Sequence, residues 1–196
     1  MSAEIKKIDL ITAFDRNRGI GVNGQMPWHN PEELKHFRNV TMGCVLIMGS
    51  RTADSLIARL KGAKDRVFTP QDQEVLSGRT LIVVSRKEHV RDYVRLGFYV
   101  ERSLEAAIVK ANELADPLLT NVVLAGGGQL YKEALEKDLI DTMVVSTIKG
   151  TFECDTFFPE FDLTQWKRIC VHDSETFTVE LYSKRKDLNE PALYSS

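Results

Sequence analysis

Cys44-Val45-Leu46-Ile47-Met48-Gly49-Ser50-Arg51-Thr52 is the stretch that decides the fold class. Five apolar residues in a row, two of them β-branched, are too few for a buried helix and suit a strand covered on both faces. Gly49 and Ser50 break the run, and a helix is expected from Thr52 to Leu60. A doubly covered strand that turns straight into a helix is the unit of a parallel sheet.

The same unit recurs in both directions along the chain. Ile8 to Phe14, Leu81 to Val84, Val122 to Ala125 and Met143 to Ile148 read as further strands. Asn30 can cap a helix that has Pro31 at its first position and runs to about Met42. Ser103 can cap another that runs to about Leu114. A short helix is expected after Gly126-Gly127-Gly128. Arg168 to His172 and Thr176 to Ser183 read as a hairpin. Polar stretches at 15–25 and 61–78 read as loops, and the tail after Lys186 as loose. The expected architecture is a single α/β domain over residues 1–186, with a tail at 187–196. Its central mixed sheet is mostly parallel and flanked by helices, and the C-terminal hairpin is antiparallel at one edge.

Composition narrows the function classes. The chain has 196 residues, 43% of them hydrophobic and 28% charged, with a formal net charge of −2. That supports one packed core and lacks the basic excess of a nucleic-acid or membrane-surface binder. No apolar run approaches the roughly 18 residues of a membrane span. MSAEIKKIDL has neither the apolar stretch nor the cleavage site of a signal peptide. Cys44, Cys154 and Cys170 are widely spaced and include no CxxC pair. Free thiols in a reducing cytoplasm are therefore expected. The four histidines have no metal-like spacing, so no metal site is expected.

Four features carry candidate chemistry. On a helix starting at Pro31, Leu34, Phe37 and Val40 form one stripe. Glu33, four residues before Phe37, flanks that stripe, while Glu32 falls toward water. A carboxylate against apolar walls needs hydrogen-bond donors. Asn30-x-x-Glu33 is also a capping-box pattern, with Glu33 reaching back to the Asn30 N–H. Gly126-Gly127-Gly128, between a strand and a helix, suits a phosphate on backbone N–H groups or a tight turn with positive φ. Met48-Gly49-Ser50-Arg51-Thr52 suits phosphate binding or a cap by Ser50. Arg79 is either solvated or a bidentate grip on a carboxylate.

Six segments in order resemble the dihydrofolate reductase family: GIGVNGQMPW, PEELKHFRNVT, VLIMGSRTADSL, SGRTLIVVSR, VVLAGGGQLY and CDTFFPEFD. The resemblance runs from about Ile8 to Lys184, and six collinear matches do not arise by chance. It implies an NADPH-dependent reduction of dihydrofolate to tetrahydrofolate, with hydride to C6 of the pterin and a proton to N5, feeding one-carbon metabolism and thymidylate synthesis. It implies that Glu33 holds the pterin and that Trp28 orders water beside it. Ile11, Ala13, Leu34, Phe37, Leu56, Arg79 and Ser146 correspond to substrate contacts, with Arg79 on the glutamate tail and Ser146 where the family usually has threonine. Ala13, Ile20, Gly21 and Met26 correspond to the nicotinamide side. Gly49, Ser50, Arg51, Thr52, Ser85, Arg86, Gly126, Gly127, Gly128, Gln129, Leu130 and Tyr131 correspond to the rest of the cofactor site.

The chain departs from the family pattern in four places. Ser50 stands where a basic residue is usual, which leaves Arg51 and Arg86 for the extra phosphate of NADPH. The turn before Arg79 lacks two prolines, the 61–78 loop is longer than usual, and Ala125 replaces a bulkier residue. The implied enzyme is a cytoplasmic monomer or homodimer acting on a small molecule, with no nucleic-acid or membrane partner. Two rivals are a related reductase on the same fold, such as the pyrimidine reductase of riboflavin synthesis, and an NADPH-binding structural module without turnover. Glu33 after a Pro-Trp loop argues against the first. Trp28, Glu33 and Arg79 argue against the second, which Ser50 and the long loop keep open.

Overall fold

The computed structural model describes residues 7–61, 78–87 and 91–185. The expected loop at 61–78, apart from its two ends, and the tail at 187–196 lie outside them. The described elements run β1 (Ile8–Phe14), β2 (Gly19–Gly21), α1 (Pro31–Thr41), β3 (Val45–Gly49) and α2 (Ser50–Lys61). They continue with β4 (Thr80–Val84), α3 (Arg91–Arg95), β5 (Tyr99–Glu101), α4 (Leu104–Leu114), β6 (Val122–Leu124) and α5 (Gly128–Glu136). The chain then adds β7 (Ile140–Ile148), β8 (Thr156–Phe157), a single 3-10 turn at Leu163–Gln165, β9 (Trp166–Asp173) and β10 (Phe177–Lys184).

Among the described residues, eight strands form one sheet in the order β5-β4-β3-β6-β1-β7-β10-β9. The pairings from β5 to β7 are parallel. β10 runs antiparallel to both β7 and β9, as the expected hairpin requires. β2 and β8 pair separately.

Alternation along each strand divides the core into two layers. Leu10, Val45, Ile47 and Ile82 face α4 and α5, where Leu104, Ile108, Leu130 and Ala134 complete one cluster. Ile11, Leu46, Met48 and Val83 face the other way, against Ala53 and Ile57 of α2, with Phe37 of α1 packed at the margin. A third cluster gathers Trp28, Ile148, Phe177 and Val179 beside the C-terminal hairpin.

Several boundaries differ from the sequence expectation. β1 spans the expected residues, whereas β3 is shifted to 45–49 and α2 begins at Ser50 instead of Thr52. Ser50 is thus the first residue of the helix and not a cap preceding it. On α1 the buried residues are Glu33 and Thr41, with Phe37 half-buried between them, while Leu34 and Val40 are exposed. The inward line is therefore 33-37-41, an i, i+4, i+8 row. It differs from the expected Leu34-Phe37-Val40 stripe because two of its three members, Glu33 and Thr41, are polar. α3, β5 and the β2–β8 pair were not anticipated.

Candidate functional site

The site opens on the face of the sheet that carries α1. Asn30 Oδ1 accepts the Glu33 N–H at 3.1 Å, so the cap half of the capping box forms and sets the start of the helix. From that start Glu33 turns inward and is only 3% exposed. Glu32 points outward, accepting the Thr176 hydroxyl at 3.0 Å. Helical geometry thus separates two adjacent carboxylates into a buried one and a solvated one.

Strand pairing aligns the candidate residues of β1 and β7. Ala13 of β1 faces Ser146 of β7, which faces Val179 of β10, and Ile11 faces Val144 in the same way. Trp28 and Ser146 are buried, yet neither Trp28 Nε1 nor Ser146 Oγ has a hydrogen-bond partner among the described residues. Two orphaned polar atoms in an otherwise apolar wall are unusual in a native core. They mark a place built to meet something polar.

Tyr131 is buried in the first turns of α5. Its hydroxyl donates to the Ile11 carbonyl at 2.8 Å. Burial holds the phenol well above its ordinary range, and the charge of Glu33 pushes the same way against a hydrogen bond with Thr12.

At the C-terminal end of α1, Arg79 donates from Nη1 to Thr41 Oγ1 at 3.3 Å. Burial lowers the Arg79 pKa from its usual value, and the neighbouring Arg38 adds to the effect. Thr41 also donates to the Phe37 carbonyl at 2.7 Å, so it links the helix end to the arginine. Leu56 of α2 packs beside Phe37 on the same cluster. This end of the cleft joins an apolar floor to two guanidinium groups, the requirement for an aromatic body with an acidic tail.

The second half of the site lies where β3 and β6, adjacent and parallel, end together. α2 starts at Ser50 and α5 at Gly128, so two helix N-termini stand side by side. Each presents unpaired backbone N–H groups and the positive end of its dipole. The Gly49 N–H donates to the Gly126 carbonyl at 2.8 Å, locking the two turns together. Gly126 has φ +128°, and the Gly126–Gly127 peptide is cis. A Cβ on Gly127 would sit 3.0 Å from Thr52 Oγ1, and one on Gly126 would sit 3.1 Å away. Only glycines leave this approach open, so both the tight turn and the phosphate cradle considered from sequence are compatible with the same residues.

The remaining expected cofactor residues divide into two groups. Leu130 packs in the core, and the Tyr131 N–H is taken by the Gly127 carbonyl at 3.0 Å. Gly128 and Gln129 stand at the start of the helix, where N–H groups have no intrahelical partner. Ser85 is buried at the end of β4, where its Oγ accepts the Lys87 N–H at 3.2 Å. Arg51 and Arg86 are exposed nearby. Asp54 draws in two residues that sequence reading did not single out: the Tyr93 hydroxyl at 2.5 Å and Lys87 Nζ at 3.5 Å.

The 15–28 loop connects the two halves. Gly19–Gly21 pairs with Thr156–Phe157. The Asp155 N–H donates to the Gly21 carbonyl at 3.0 Å, and Asp155 Oδ2 accepts the Asn23 N–H at 2.7 Å. That amide is the largest cause of the lowered Asp155 pKa. Ile20 reaches to 3.4 Å from where a Cβ of Gly128 would lie, and Met26 packs with Ala13 and Trp28. Asp15, Phe152 and Asp155 organise this loop, and sequence reading missed all three. Asking where the N–H groups of a glycine-rich loop go would have pointed to Asp15.

Comparison with known proteins bears on the whole chain. The family model described as "Dihydrofolate reductase" matches residues 7–75 and 66–183. Dihydrofolate reductase of Aedes albopictus is 35% identical over 159 residues, covering 80% of this chain and 81% of that protein. The enzyme of Neisseria meningitidis serogroup A is 36% identical over 163 residues, covering 82% and 84%. Among solved structures, dihydrofolate reductase from Enterococcus faecalis, complexed with NADP(H) and RAB-propyl, superposes with a TM-score of 0.68. It is 26% identical and covers 92% of this chain and 97% of that one.

Proposed function

Because the chain belongs to the dihydrofolate reductase family, we propose which of its residues carry the reduction of dihydrofolate to tetrahydrofolate. The observation that carries the proposal is the buried Glu33 carboxylate in an apolar cleft beside a glycine cradle at two helix N-termini. A pterin offers an adjacent ring N–H and amino group, which a carboxylate accepts through two parallel hydrogen bonds. Glu33 thereby fixes the ring and raises the electron density at the atom that takes the proton. Trp28 Nε1 and Ser146 Oγ, both without a hydrogen-bond partner among the described residues, suit an ordered water that relays that proton. Ile11, Ala13, Phe37 and Leu56 hold the aromatic body, with Leu34, exposed next to Glu33, at its edge, and Arg79 holds the tail carboxylate.

The cofactor is NADPH, and the residues present fit it. Gly126, Gly127, Thr52 and the first turns of α2 and α5 suit its phosphates, with Gly49 and Gly128 setting the close approach. Bound there, NADPH supplies the hydride that reduces C6 of the pterin. Ser85, Arg51 and Arg86 surround the place for the extra phosphate. Ile20, Gly21 and Met26 cover the nicotinamide and exclude water, and their closure aligns the two rings. A single domain over about 1–186 carries all of these groups, so one chain suffices as a monomer or within a homodimer. A cytoplasmic site of action is supported by three free thiols. No described helix is long and apolar enough to cross a membrane.

The test is NADPH oxidation with dihydrofolate, with and without an antifolate of the methotrexate type. Substrate-dependent, inhibitor-sensitive oxidation is expected. Glu33→Gln should retain the fold and NADPH affinity while losing at least about a hundredfold in turnover at neutral pH. Near-normal turnover in that variant overturns the assignment of Glu33.

A further inference from the structure

Asp15 is the one residue of the active-site loop whose side chain is completely buried and charged, at 0% exposure. No ion pair holds it among the described residues. Three backbone amides do. Oδ1 accepts the Asn17 N–H at 2.9 Å and the Gly19 N–H at 2.7 Å. Oδ2 accepts the Phe152 N–H at 2.8 Å. The two oxygens therefore serve different segments: one the loop leaving β1, the other the loop leaving β7.

Each segment leads to a different reacting partner. Gly19 opens β2, and Ile20 follows it toward Gly128 and the cofactor cradle. The Phe152 ring packs against the Trp28 ring with centroids 5.4 Å apart, on the pterin side. Main-chain bonds reinforce the junction, with Asp15 N–H on the Gly19 carbonyl at 3.0 Å and Arg16 N–H on the Gly150 carbonyl at 3.1 Å.

We infer that Asp15 is a positioning residue for hydride transfer, setting the cofactor arm and the Trp28 arm of the site from one buried anion. This rests on the reductase reading above. Only a carboxylate meets the demand, because three N–H donors need an acceptor with two oxygens and no donor of its own. Asparagine keeps one oxygen. Turned toward Asn17 and Gly19, it leaves its amino group facing the Phe152 N–H, so the two arms come apart selectively.

The test compares Asp15→Asn and Asp15→Ala with the wild type, with active sites counted by tight antifolate titration. In Asp15→Asn, single-turnover hydride transfer should slow by roughly tenfold to a hundredfold per active site, as a misplacement near 1 Å would produce. Its dihydrofolate KM should rise, and its NADPH Kd should stay within about threefold of the wild type. Asp15→Ala should weaken NADPH as well. A purely structural role would lower Tm and the number of active sites while leaving the constants per site unchanged, and that result overturns the inference. In the wild type, amide exchange at Gly19 and Phe152 should be protected to the same degree. A freely exchanging Phe152 amide beside a protected Gly19 overturns it without any variant. A wild type that fails to turn over dihydrofolate refutes the reductase reading instead.

Discussion

Gly19→Ala is a single-methyl perturbation whose consequence can be worked from geometry. Gly19 lies in β2 outside the positive-φ region, so alanine meets no backbone penalty there. The penalty is contact. A Cβ at residue 19 would overlap Cys154 Sγ, and it would lie 2.7 Å from Cys154 Cβ and 3.1 Å from Asp15 Oδ1. Inserting a methyl into such a space costs about 1–3 kcal/mol. At about 2–4 °C per kcal/mol for a chain of this size, Tm should fall by several degrees. The backbone must move to relieve the overlap, and the β2–β8 pair is what moves. NADPH affinity should therefore fall together with Tm. Cys154→Gly removes the obstacle and exposes the coupling. The double variant Gly19→Ala/Cys154→Gly should regain most of the lost stability, giving a favourable interaction energy of at least about 1 kcal/mol in the cycle. Thermal melts and NADPH titrations of the four proteins measure this. If Gly19→Ala alone matches the wild type, or if Cys154→Gly leaves the loss in place, the packing argument is wrong.

Two further outcomes follow from charges at either end of the site. Arg79→Gln should raise the dihydrofolate KM by about tenfold to a hundredfold, the worth of a charged hydrogen-bond pair, and leave the NADPH Kd unchanged. A pteridine substrate lacking the acidic tail should be indifferent to the change, and an unchanged dihydrofolate KM would remove Arg79 from the site. Asp9, half-buried and accepting the Thr142 hydroxyl, has its pKa raised chiefly by burial. The folded state therefore holds that proton more tightly than the unfolded chain does. Its contribution is complete below the ordinary carboxylate range and is lost as pH rises through the raised value. Asp9→Asn, which can still accept from Thr142, should melt higher than the wild type at neutral pH, with the gap closing at about pH 4. A gap that persists or widens in acid would contradict the burial argument.

How far the sequence could be read depended on whether a residue's environment was local. β3 and β6 are continuous apolar runs apart from the closing Gly49, and β1 spans Ile8–Phe14 as expected because nothing else in that segment competes with its pattern. α1 was legible from Asn30 and Pro31, and helical geometry turned Glu33 rather than Glu32 inward. The inward row of that helix is not legible from hydrophobic residues alone, because it contains Glu33 and Thr41, which are polar. β5 has three residues at a sheet edge, with Tyr99 exposed, and offers too short a pattern to register. β2 and β8 are strands only because two loops meet. Asp15 is legible as a turn former, but its bond to Phe152 spans 137 residues and has no local signal.

That long-range bond bears on which substitutions should reach the chemistry. The proposed cradle is built on the ends of β3 and β6, and the proposed pterin cleft on β1 and β7 with α1 beside them, so that strands of one sheet with a fixed register carry both. Such a frame keeps the phosphate cradle and Glu33 at a constant separation, but it does not bring two rings into contact. In the proposed site the connecting loop supplies that last alignment, and the β2–β8 pairing, three further backbone hydrogen bonds and the Asp15 and Asp155 carboxylates tie it to the 150–158 segment. Phe152 and Cys154 of that segment bear directly on Trp28 and Gly19. Changes at 152–155 should therefore act on the hydride step more strongly than changes of equal size on the exposed face of α4, which packs against the opposite layer of the core.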